Sequence, residues 1–354
     1  MYCRNLLLNI SEKIISIRNR SMMNRSEFLR LSSIGAVTLP VGLTKKTTGK
    51  PELIKPKRLK TGDKIAFTAP AGLLHDHRDF RRMREVMESL GLEVVFGEFV
   101  RERHGYFAGT DYQRALDLMR FFDDDSVDAI VAVRGGWGCA RILPHLDYNV
   151  IKTNPKIYCG FSDNTTLHMA FNKHCGLITY HGPNGASEWT DITKSSFKKT
   201  LMDGEDVVYS SPKGFTVINP GIAKGRLMGG NLTILTTALG TDYQPDLTDA
   251  ILFVEDIAEP PYKIDRMLTH LKRAKMLDNL RGFIFGQCTN CAEPRGANFT
   301  IEEVLNDHIK PLGIPAMIGK DIGHDPDNLT IPVGLQAELD SKTGTLRTLE
   351  STVA

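Results

Sequence analysis

The chain has 354 residues, of which 41% are hydrophobic and 24% are charged, and its formal net charge is +2. This length allows two domains with hydrophobic cores, and the small net charge gives no general electrostatic reason to bind nucleic acid. No apolar run reaches the ~20 residues that a membrane-spanning helix needs, and six scattered cysteines do not make a disulfide scaffold.

The N-terminal part resembles an export signal. From Met23 the sequence reads MNRSEFLRLSSIGAVTLPVGLTKK, a basic start followed by an apolar stretch and then polar residues. R-S-E-F-L resembles a twin-arginine motif without its second arginine. We therefore expect an exported or periplasmic protein with Met23 as a candidate start; the alternative is a disordered tail on a cytoplasmic protein. Because Pro51–Pro56 reads as a linker, residues 1–55 are predicted to be a signal-like and linker segment.

Residues 56–185 alternate strand and helix patterns. Helices are predicted around Phe80–Leu90 and Asp111–Phe122, and strands at Lys64–Thr68, Glu93–Phe96, Ala129–Val133, Ile157–Phe161 and within 176–183. Unbroken apolar runs are typical of parallel strands buried on both faces. We predict an α/β fold whose N-terminal domain has an open parallel sheet, with ligands bound at the carboxyl ends of its strands.

The amino-acid composition changes after residue 185. Residues 186–222 are polar and rich in Ser, Thr and Lys, which predicts a connector. Residues 223–354 then show short strand patterns separated by helical ones, which predicts a second α/β domain with a more mixed sheet. Its strands are predicted at Ile251–Val254, Gly282–Gly286 and Leu335–Leu339, and its helices around Tyr262–Ala274 and Ile301–Ile309.

Ser162 stands at a sharp corner, where an apolar run gives way to a helical pattern in G-F-S-D-N. A strand–turn–helix corner is where α/β-hydrolases hold a nucleophile, although the G-x-S-x-G spacing is absent here. Serine also suits a helix N-cap. The residues alone leave both roles open.

Three further motifs could carry chemistry. R-G-G-W-G at 134–138 follows a strand but lacks both nucleotide-binding glycine patterns, which favours a backbone that presents N–H groups to a ligand. Cys288 and Cys291 form a lone C-x-x-C, which we interpret as core or incidental cysteines because a zinc ribbon needs a second pair. His75 and His77 form a single H-x-H pair in a polar loop. The sequence therefore predicts no metal site.

Glu255 and Asp256 end an apolar strand, where adjacent side chains face opposite ways. Only one of them can therefore point into a given site; a glycosidase carboxylate pair and an exposed helix cap are the alternatives. His324 lies in a loop, where histidines are usually solvated. Ser162, Glu255 and His324 follow the order of an α/β-hydrolase triad, but sequence spacing cannot show that they meet.

Eight strings between about residue 58 and the C-terminus, in order, together resemble one known family. They are APAG (69–72), YFAGTDYQRALDL (106–118), AVRGGWGCARILPHLD (132–147), GFSDNTTLH (160–168), HGP (181–183), GRLMGGNLTILTTALGT (225–241), LFVEDIAEPPYKIDRMLTHL (252–271) and IGHDPDNLTIPVG (322–334). In them the chain is similar to the LD-carboxypeptidase family of serine peptidases, which includes muramoyltetrapeptide carboxypeptidases and the microcin C self-immunity hydrolases. Trp137, where the family often has Tyr, and Cys139 depart mildly from its pattern.

The resemblance implies that Ser162 is the nucleophile, His324 the general base and Glu255 the residue that orients it. It also implies that the site lies between an N-terminal domain carrying the serine and a C-terminal domain carrying the other two. No metal or cofactor is implied. The implied substrate is a small muropeptide, cleaved at an L-to-D peptide bond with release of the terminal D-alanine. The signal-like segment departs from the cytoplasmic recycling enzymes of the family.

On this mechanism, the backbone N–H groups of Asp163 and Gly136 are the expected oxyanion donors, and Arg134 is a candidate partner for the substrate carboxylate. A related hydrolase that cleaves acyl-sulfamoyl or phosphoramidate-linked peptide nucleotides is an alternative, favoured by an aromatic loop in 184–200, where Trp189 lies. A non-catalytic α/β binding protein is a second alternative, which would need a broken triad. Homodimerisation is left open, and no nucleic-acid partner or membrane span is expected.

Overall fold

The computed structural model describes residues 52–354 except 206, 212–213, 292–295, 297 and 320. These residues belong to one compact unit. The signal-like segment, with Met23, lies outside the described residues, so export stays a prediction. None of the helices in the described part of the chain is long and apolar enough to cross a membrane.

The first half of the chain builds a parallel sheet, as the sequence predicts, and its strands lie in the order β5-β4-β3-β1-β2, which the sequence did not predict. One-turn 3₁₀ helices lie at Leu143–His145 and Ser162–Asn164. The elements are β1 (Lys64–Thr68), α1 (Arg78–Ser89), β2 (Glu93–Phe96), α2 (Asp111–Asp123), β3 (Ala129–Ala132), α3 (Cys139–Ile142), α4 (Tyr148–Thr153), β4 (Ile157–Gly160), α5 (Thr165–Cys175) and β5 (Thr179–His181).

Both faces of this sheet are covered, which explains its unbroken apolar strands. In β1, Ile65 and Phe67 belong to the core on one face, while Ala66 belongs to the core on the other. Helix α2 begins at a capping box, in which Thr110 and Gln113 satisfy each other's backbone N–H groups. Local sequence signals and burial therefore agree in this half of the molecule.

The second half builds an eight-stranded mixed sheet in the order β6-β14-β13-β8-β9-β10-β11-β7. Strands β8 to β11 are parallel to one another, and the outer pairs are antiparallel. The elements are α6 (Asp191–Lys198) with a π-turn at Lys199–Asp203, β6 (Val208–Ser210), β7 (Phe215–Asn219), β8 (Ile222–Asn231), α7 (Leu232–Thr237), β9 (Ala250–Ile257), α8 (Pro261–Arg273), β10 (Gly282–Thr289), α9 (Ile301–His308), a 3₁₀ turn at Lys310–Leu312, β11 (Ala316–Gly319), β12 (Ile331–Val333), β13 (Gln336–Asp340) and β14 (Thr345–Thr348).

Strand β12 joins the two halves. It pairs antiparallel with β5, so the first sheet has six strands and its edge comes from the C-terminal part of the chain. This pairing joins residues about 150 positions apart in sequence, His181 and Ile331. Periodicity does not reveal a pairing partner so far away in sequence, so this strand was not predicted.

Two segments that the sequence predicts to be connections are partly folded in the structure. The predicted connector at 186–222 holds α6, β6 and β7, with Phe197 in the core. The end of the predicted linker is docked on the fold: the Ile54 N–H donates to the carbonyl of Gly176 at 2.8 Å, and the Ala354 N–H donates to that of Pro56 at 2.9 Å. Polar composition hides these elements because most of their residues lie at the surface.

The two halves meet beside the start of α5. A Cβ on Gly230, at φ +137°, would lie 2.5 Å from the hydroxyl oxygen of Thr165. That hydroxyl accepts a hydrogen bond of 2.9 Å from the Asn231 N–H, at the end of β8. Since Asn231 pairs with Glu255 of β9, this close approach brings the C-terminal sheet to the corner that holds Ser162.

Candidate active site

Ser162 occupies the corner between β4 and α5 with a backbone φ of 64°. A left-handed conformation at a residue other than glycine costs about 1 kcal/mol or more and tends to mark functional positions. Neither the 3₁₀ turn nor α5 has a side-chain cap at its start. The N-cap interpretation of Ser162 is therefore wrong, and its side chain instead lines a cleft.

The corner is held by buried amides. The side-chain NH₂ of Asn164 donates to the carbonyl of Phe161 at 3.0 Å and to the amide oxygen of Asn184 at 3.1 Å. The same Asn184 oxygen accepts from the Phe161 N–H at 3.2 Å, and the Tyr158 hydroxyl donates to Asn164 at 2.6 Å. Both sides of Ser162 are thus fixed by a polar network, which rigidifies the turn.

The glycine loop lies directly against the serine. A Cβ on Gly135 would stand 2.7 Å from the Cβ of Ser162 and 3.2 Å from the backbone nitrogen of Asp163. Within the described part of the chain, neither the Gly136 N–H nor the Asp163 N–H donates to a backbone carbonyl. Neither N–H group is thus engaged by a backbone acceptor, and their role as oxyanion donors stays a prediction.

Buried charged side chains hold the glycine loop in place. Arg114, whose side chain is fully buried, donates to the carbonyls of Pro70 and Gly138 and pairs with Asp111. The carboxylate of Asp163 accepts a hydrogen bond of 2.8 Å from the Cys139 N–H, and burial raises the pKa of Asp163. The neighbouring APAG and RGGWG strings are thus joined through one guanidinium.

Glu255 and His324 meet as the resemblance implies. The Nδ1–H of His324 donates to Oε2 of Glu255 at 2.7 Å, and the Glu255 side chain is fully buried. Asp256, the next residue, faces the other way and accepts from Asn231 and from the backbone and hydroxyl of Thr233. Burial, with the neighbouring Glu255, raises the pKa of Asp256 to about 6. Adjacent carboxylates on one strand therefore serve different purposes.

The loop of His324 is held by the end of β10. Oε1 of Gln287 accepts from the Asp325 N–H at 2.8 Å, and its Nε2 donates to the Asp327 carbonyl at 3.2 Å. The Thr289 hydroxyl donates to the carboxylate of Asp325 at 2.8 Å. Cys288 and Cys291 are disulfide-bonded around that threonine, so their interpretation as core or incidental cysteines is wrong: the close turn after β10 brings the two side chains together.

Ser162 and His324 face the same cleft, a cavity of about 380 Å³. The cleft is also lined by Arg134, Gly135, Gly136, Asn184, Leu74, His75, Asp76 and Asp79. The ring of Phe161 meets that of His324 edge to face at 4.7 Å between centroids. Among the described residues the Ser162 hydroxyl has no hydrogen-bond partner in this conformation, so the imidazole lies near it but is not bonded to it.

Two buried histidines lie beneath the corner. The Nε2–H of His168 donates to the carbonyl of Gly160 at 2.8 Å, and burial lowers the pKa of His168 to about 4. His181 is fully buried between Phe161 and Phe253, and burial holds its pKa well below the usual value. Both rings are therefore neutral supports of the site at neutral pH.

The structure places each predicted site residue at or beside this cleft. Asn164, Asn184 and Gln287 were missed, since a buried amide has no sequence pattern of its own. G-F-S-D-N did offer one signal, because a side chain one or two residues after a nucleophile corner is well placed to brace it.

This arrangement defines a two-domain α/β protein with a cleft between its halves, of the peptidase type. The chain belongs to the LD-carboxypeptidase family: the family's N-terminal domain matches residues 65–182 and its C-terminal domain residues 224–339. The family resemblance seen in the sequence is thereby confirmed, as is the predicted fold class.

The named relatives include a carboxypeptidase and a self-immunity protein. The chain is 38% identical to a probable murein peptide carboxypeptidase of Bacillus subtilis, over 81% of this chain and 92% of that protein. It is 29% identical to the microcin C7 self-immunity protein MccF of Escherichia coli, over 80% and 92% respectively.

The similar solved structures also include a carboxypeptidase and a self-immunity protein. The muramoyltetrapeptide carboxypeptidase from Oxalobacter formigenes is 31% identical, with a TM-score of 0.71 over 80% of this chain and 97% of that chain. MccF in complex with glutamyl sulfamoyl guanosine is 25% identical, with a TM-score of 0.79 over 85% and 99%.

Proposed function

We propose that the protein is a serine carboxypeptidase that hydrolyses the L-to-D peptide bond of murein tetrapeptides and releases the terminal D-alanine. The observation that carries the proposal is the convergence, at one cleft, of a strained serine and a histidine paired with a buried glutamate. The 38% identity to a probable murein peptide carboxypeptidase supports the substrate class.

The geometry assigns a role to each group. The Nδ1–H bond to Glu255 fixes the His324 tautomer and leaves Nε2 as the base. Nε2 takes the Ser162 hydroxyl proton as Oγ attacks the carbonyl carbon of the L residue. The N–H groups of Gly136 and Asp163 then donate hydrogen bonds to the resulting oxyanion. The imidazolium then protonates the leaving amine of D-alanine, and water, deprotonated by the same imidazole, hydrolyses the acyl-enzyme.

Catalysis also requires that the serine and the histidine be aligned and that the substrate carboxylate be bound. Ser162 and His324 line the same cleft without a hydrogen bond between them, so a rearrangement that brings Oγ and Nε2 together has to precede proton transfer. Arg134 is the proposed partner of the terminal carboxylate: it lines the cleft, and its guanidinium donates to the Leu73 carbonyl at 3.1 Å, which steadies it.

Hydrolysis of peptide nucleotides, as in the microcin C immunity proteins, is the second candidate, favoured by the similarity to MccF. Trp189, which suggested it in the sequence, lines an adjoining cavity of about 650 Å³. However, this indole is 9% exposed, donates to the carbonyl of Gly185 and packs edge to face on Phe197. A ring so enclosed offers little face to a nucleobase, which favours the tetrapeptide.

Product analysis separates the candidates. Protein is incubated in parallel with an L,D-linked tetrapeptide and with a glutamyl sulfamoyl nucleoside, and the products are identified by mass spectrometry. We expect D-alanine and a tripeptide from the first. Cleavage of the sulfamoyl compound alone would favour the second candidate, and binding without turnover of either would favour a non-catalytic protein. Export and homodimerisation remain proposals, tested by locating the protein in fractionated cells and by measuring its mass in solution.

A further inference from the structure

Two aromatic side chains stand exposed beside the cleft. Tyr106 is 62% exposed and Trp137 is 67% exposed. Their ring centroids are 6.3 Å apart with an interplanar angle of 67°, so together they form a corner of two aromatic surfaces. We call this pair the aromatic corner. Exposed apolar surface beside a cleft tends to mark a binding site.

The aromatic corner is built on rigid parts of the fold. Tyr106 packs against the ring of Phe107 at 4.5 Å between centroids, and the guanidinium groups of Arg114 and Arg141 stand 4.6 and 4.9 Å from that ring. Trp137 lies in the glycine loop, whose Gly138 carbonyl is held by Arg114 at 2.9 Å. Binding to such a surface costs little conformational entropy, because the rings are already positioned.

Both residues adjoin the wall of the catalytic cleft. Trp137 follows Gly136, which lines the cleft, and the carbonyl of Tyr106 accepts from the N–H of Leu73, whose neighbour Leu74 also lines it. Gly135 contacts Ser162, and two residues span at most about 7 Å. The aromatic corner is therefore next in the chain to, or hydrogen-bonded next to, residues that line the cleft.

The chemistry of the corner matches one part of the proposed substrate. An aromatic face is electron-rich, so it attracts the weakly positive C–H groups on one face of a pyranose ring while the hydroxyls stay in water. A relative carries the name muramoyltetrapeptide carboxypeptidase, and a muramoyl group is an amino-sugar acid. Three peptide residues between the scissile bond and that sugar span roughly 10 Å when extended, which exceeds the roughly 7 Å that the chain can span from Gly135 to Trp137.

We propose that Tyr106 and Trp137 form a subsite for the amino-sugar ring of glycan-bearing muropeptides. The proposal rests on the proposed carboxypeptidase function and names the part of the substrate that this function leaves unassigned. The consequence is a preference for N-acetylmuramoyl-tetrapeptide over the free tetrapeptide, expressed mainly in KM, because the sugar lies away from the bond that breaks.

The test compares kcat/KM on these two substrates for wild type, Trp137→Ala and Trp137→Phe. The preference ratio should fall roughly tenfold in Trp137→Ala and be largely kept in Trp137→Phe, which retains an aromatic face. Ile222→Ala is the matched control: Ile222 is 63% exposed and lies at the end of β8 remote from Asn231. Its ratio should equal that of the wild type.

An unchanged ratio in Trp137→Ala, or an equal loss on both substrates, would overturn the subsite. A change of mass in solution on mutation would identify the corner instead as a contact between copies of the chain. If wild type cleaves neither substrate, the proposed function fails separately. The subsite is then measured by calorimetric titration of Ser162→Ala with N-acetylmuramoyl-tetrapeptide, which follows the heat of binding. Saturable binding lost in the Trp137→Ala background supports it, and equal binding contradicts it.

Discussion

Ser162 shows how one residue can be unfavourable locally and useful chemically. Its φ of 64° strains the backbone, and its hydroxyl caps neither the 3₁₀ turn nor α5. If stability alone decided the residue at this corner, it would be glycine, because a residue without a Cβ adopts positive φ without strain. The presence of serine there is the residue-scale argument for a nucleophile.

The contact between Gly135 and Ser162 gives a prediction for Gly135→Ala. The added methyl would stand 2.7 Å from the serine Cβ and 2.9 Å from its Oγ, so the nucleophile has to move. A displacement of about 1 Å in a catalytic group can reduce turnover roughly 100-fold. We expect kcat to fall by roughly that factor, measured as D-alanine release. Wild-type kcat in a folded variant would show that the position of Ser162 does not matter.

At the scale of elements, the end of β10 is the support of the general base. The Gln287 side chain binds the backbone of Asp325 and Asp327, directly after His324, and the Thr289 hydroxyl binds the Asp325 carboxylate. We predict that Gln287→Met, which keeps the side-chain length but loses both hydrogen bonds, lowers kcat roughly 10- to 100-fold through misplacement of His324. Steady-state kinetics at several pH values are the measurement. A change in KM alone would contradict the positioning role.

The disulfide at the same turn gives a separate prediction. It closes a loop of four residues, for which loop entropy predicts a contribution of about 2 kcal/mol at most. The double variant Cys288→Ser with Cys291→Ser should therefore lose up to about 2 kcal/mol in the free energy of unfolding, measured in urea. Reduction of the wild type with a dithiol should give the same loss. No change in either experiment would show that the bridge adds no stability.

At the scale of the whole molecule, sequence patterns predicted the first sheet well and the second in part. The β1 to β5 series has local signals, such as the capping box at Thr110 and apolar runs buried on both faces. Strand β12 lacked such a signal, because it has only three residues and its pairing partner, β5, lies far away in sequence. Likewise, the family strings indicated Glu255 and His324, while the amides that brace the site carry no pattern.

The buried histidines predict how stability depends on pH. Both folded-state pKa values lie below the unfolded value of 6.5 because of burial, with His168 at about 4 and the pKa of His181 well below 6.5. As pH falls below about 6.5 the unfolded chain binds protons that the folded chain cannot, so stability is lost at about 1.4 kcal/mol per pH unit for each ring. Asp256, with its raised pKa, acts in the opposite direction.

The variant His181→Phe isolates one of these contributions. Neither ring nitrogen of His181 has a hydrogen-bond partner among the described residues, so phenylalanine removes a titrating group without breaking a hydrogen bond. Between pH 6 and 5, the loss of unfolding free energy should be about 1.2 kcal/mol smaller in the variant than in the wild type, because the unfolded histidine is only partly protonated at pH 6. Urea unfolding at both pH values measures it, and equal losses would show that His181 is protonated in the folded state.

The most direct test of the central claim is the turnover of Ser162→Ala. If Ser162 is the covalent nucleophile, removing its oxygen leaves only substrate binding and the oxyanion donors, and comparable triads lose roughly 10⁴–10⁶ in kcat. We predict that release of D-alanine from an L,D-tetrapeptide vanishes in this variant while its thermal midpoint stays close to that of the wild type. A folded variant that keeps more than about a tenth of wild-type turnover would contradict the nucleophile and the proposed mechanism.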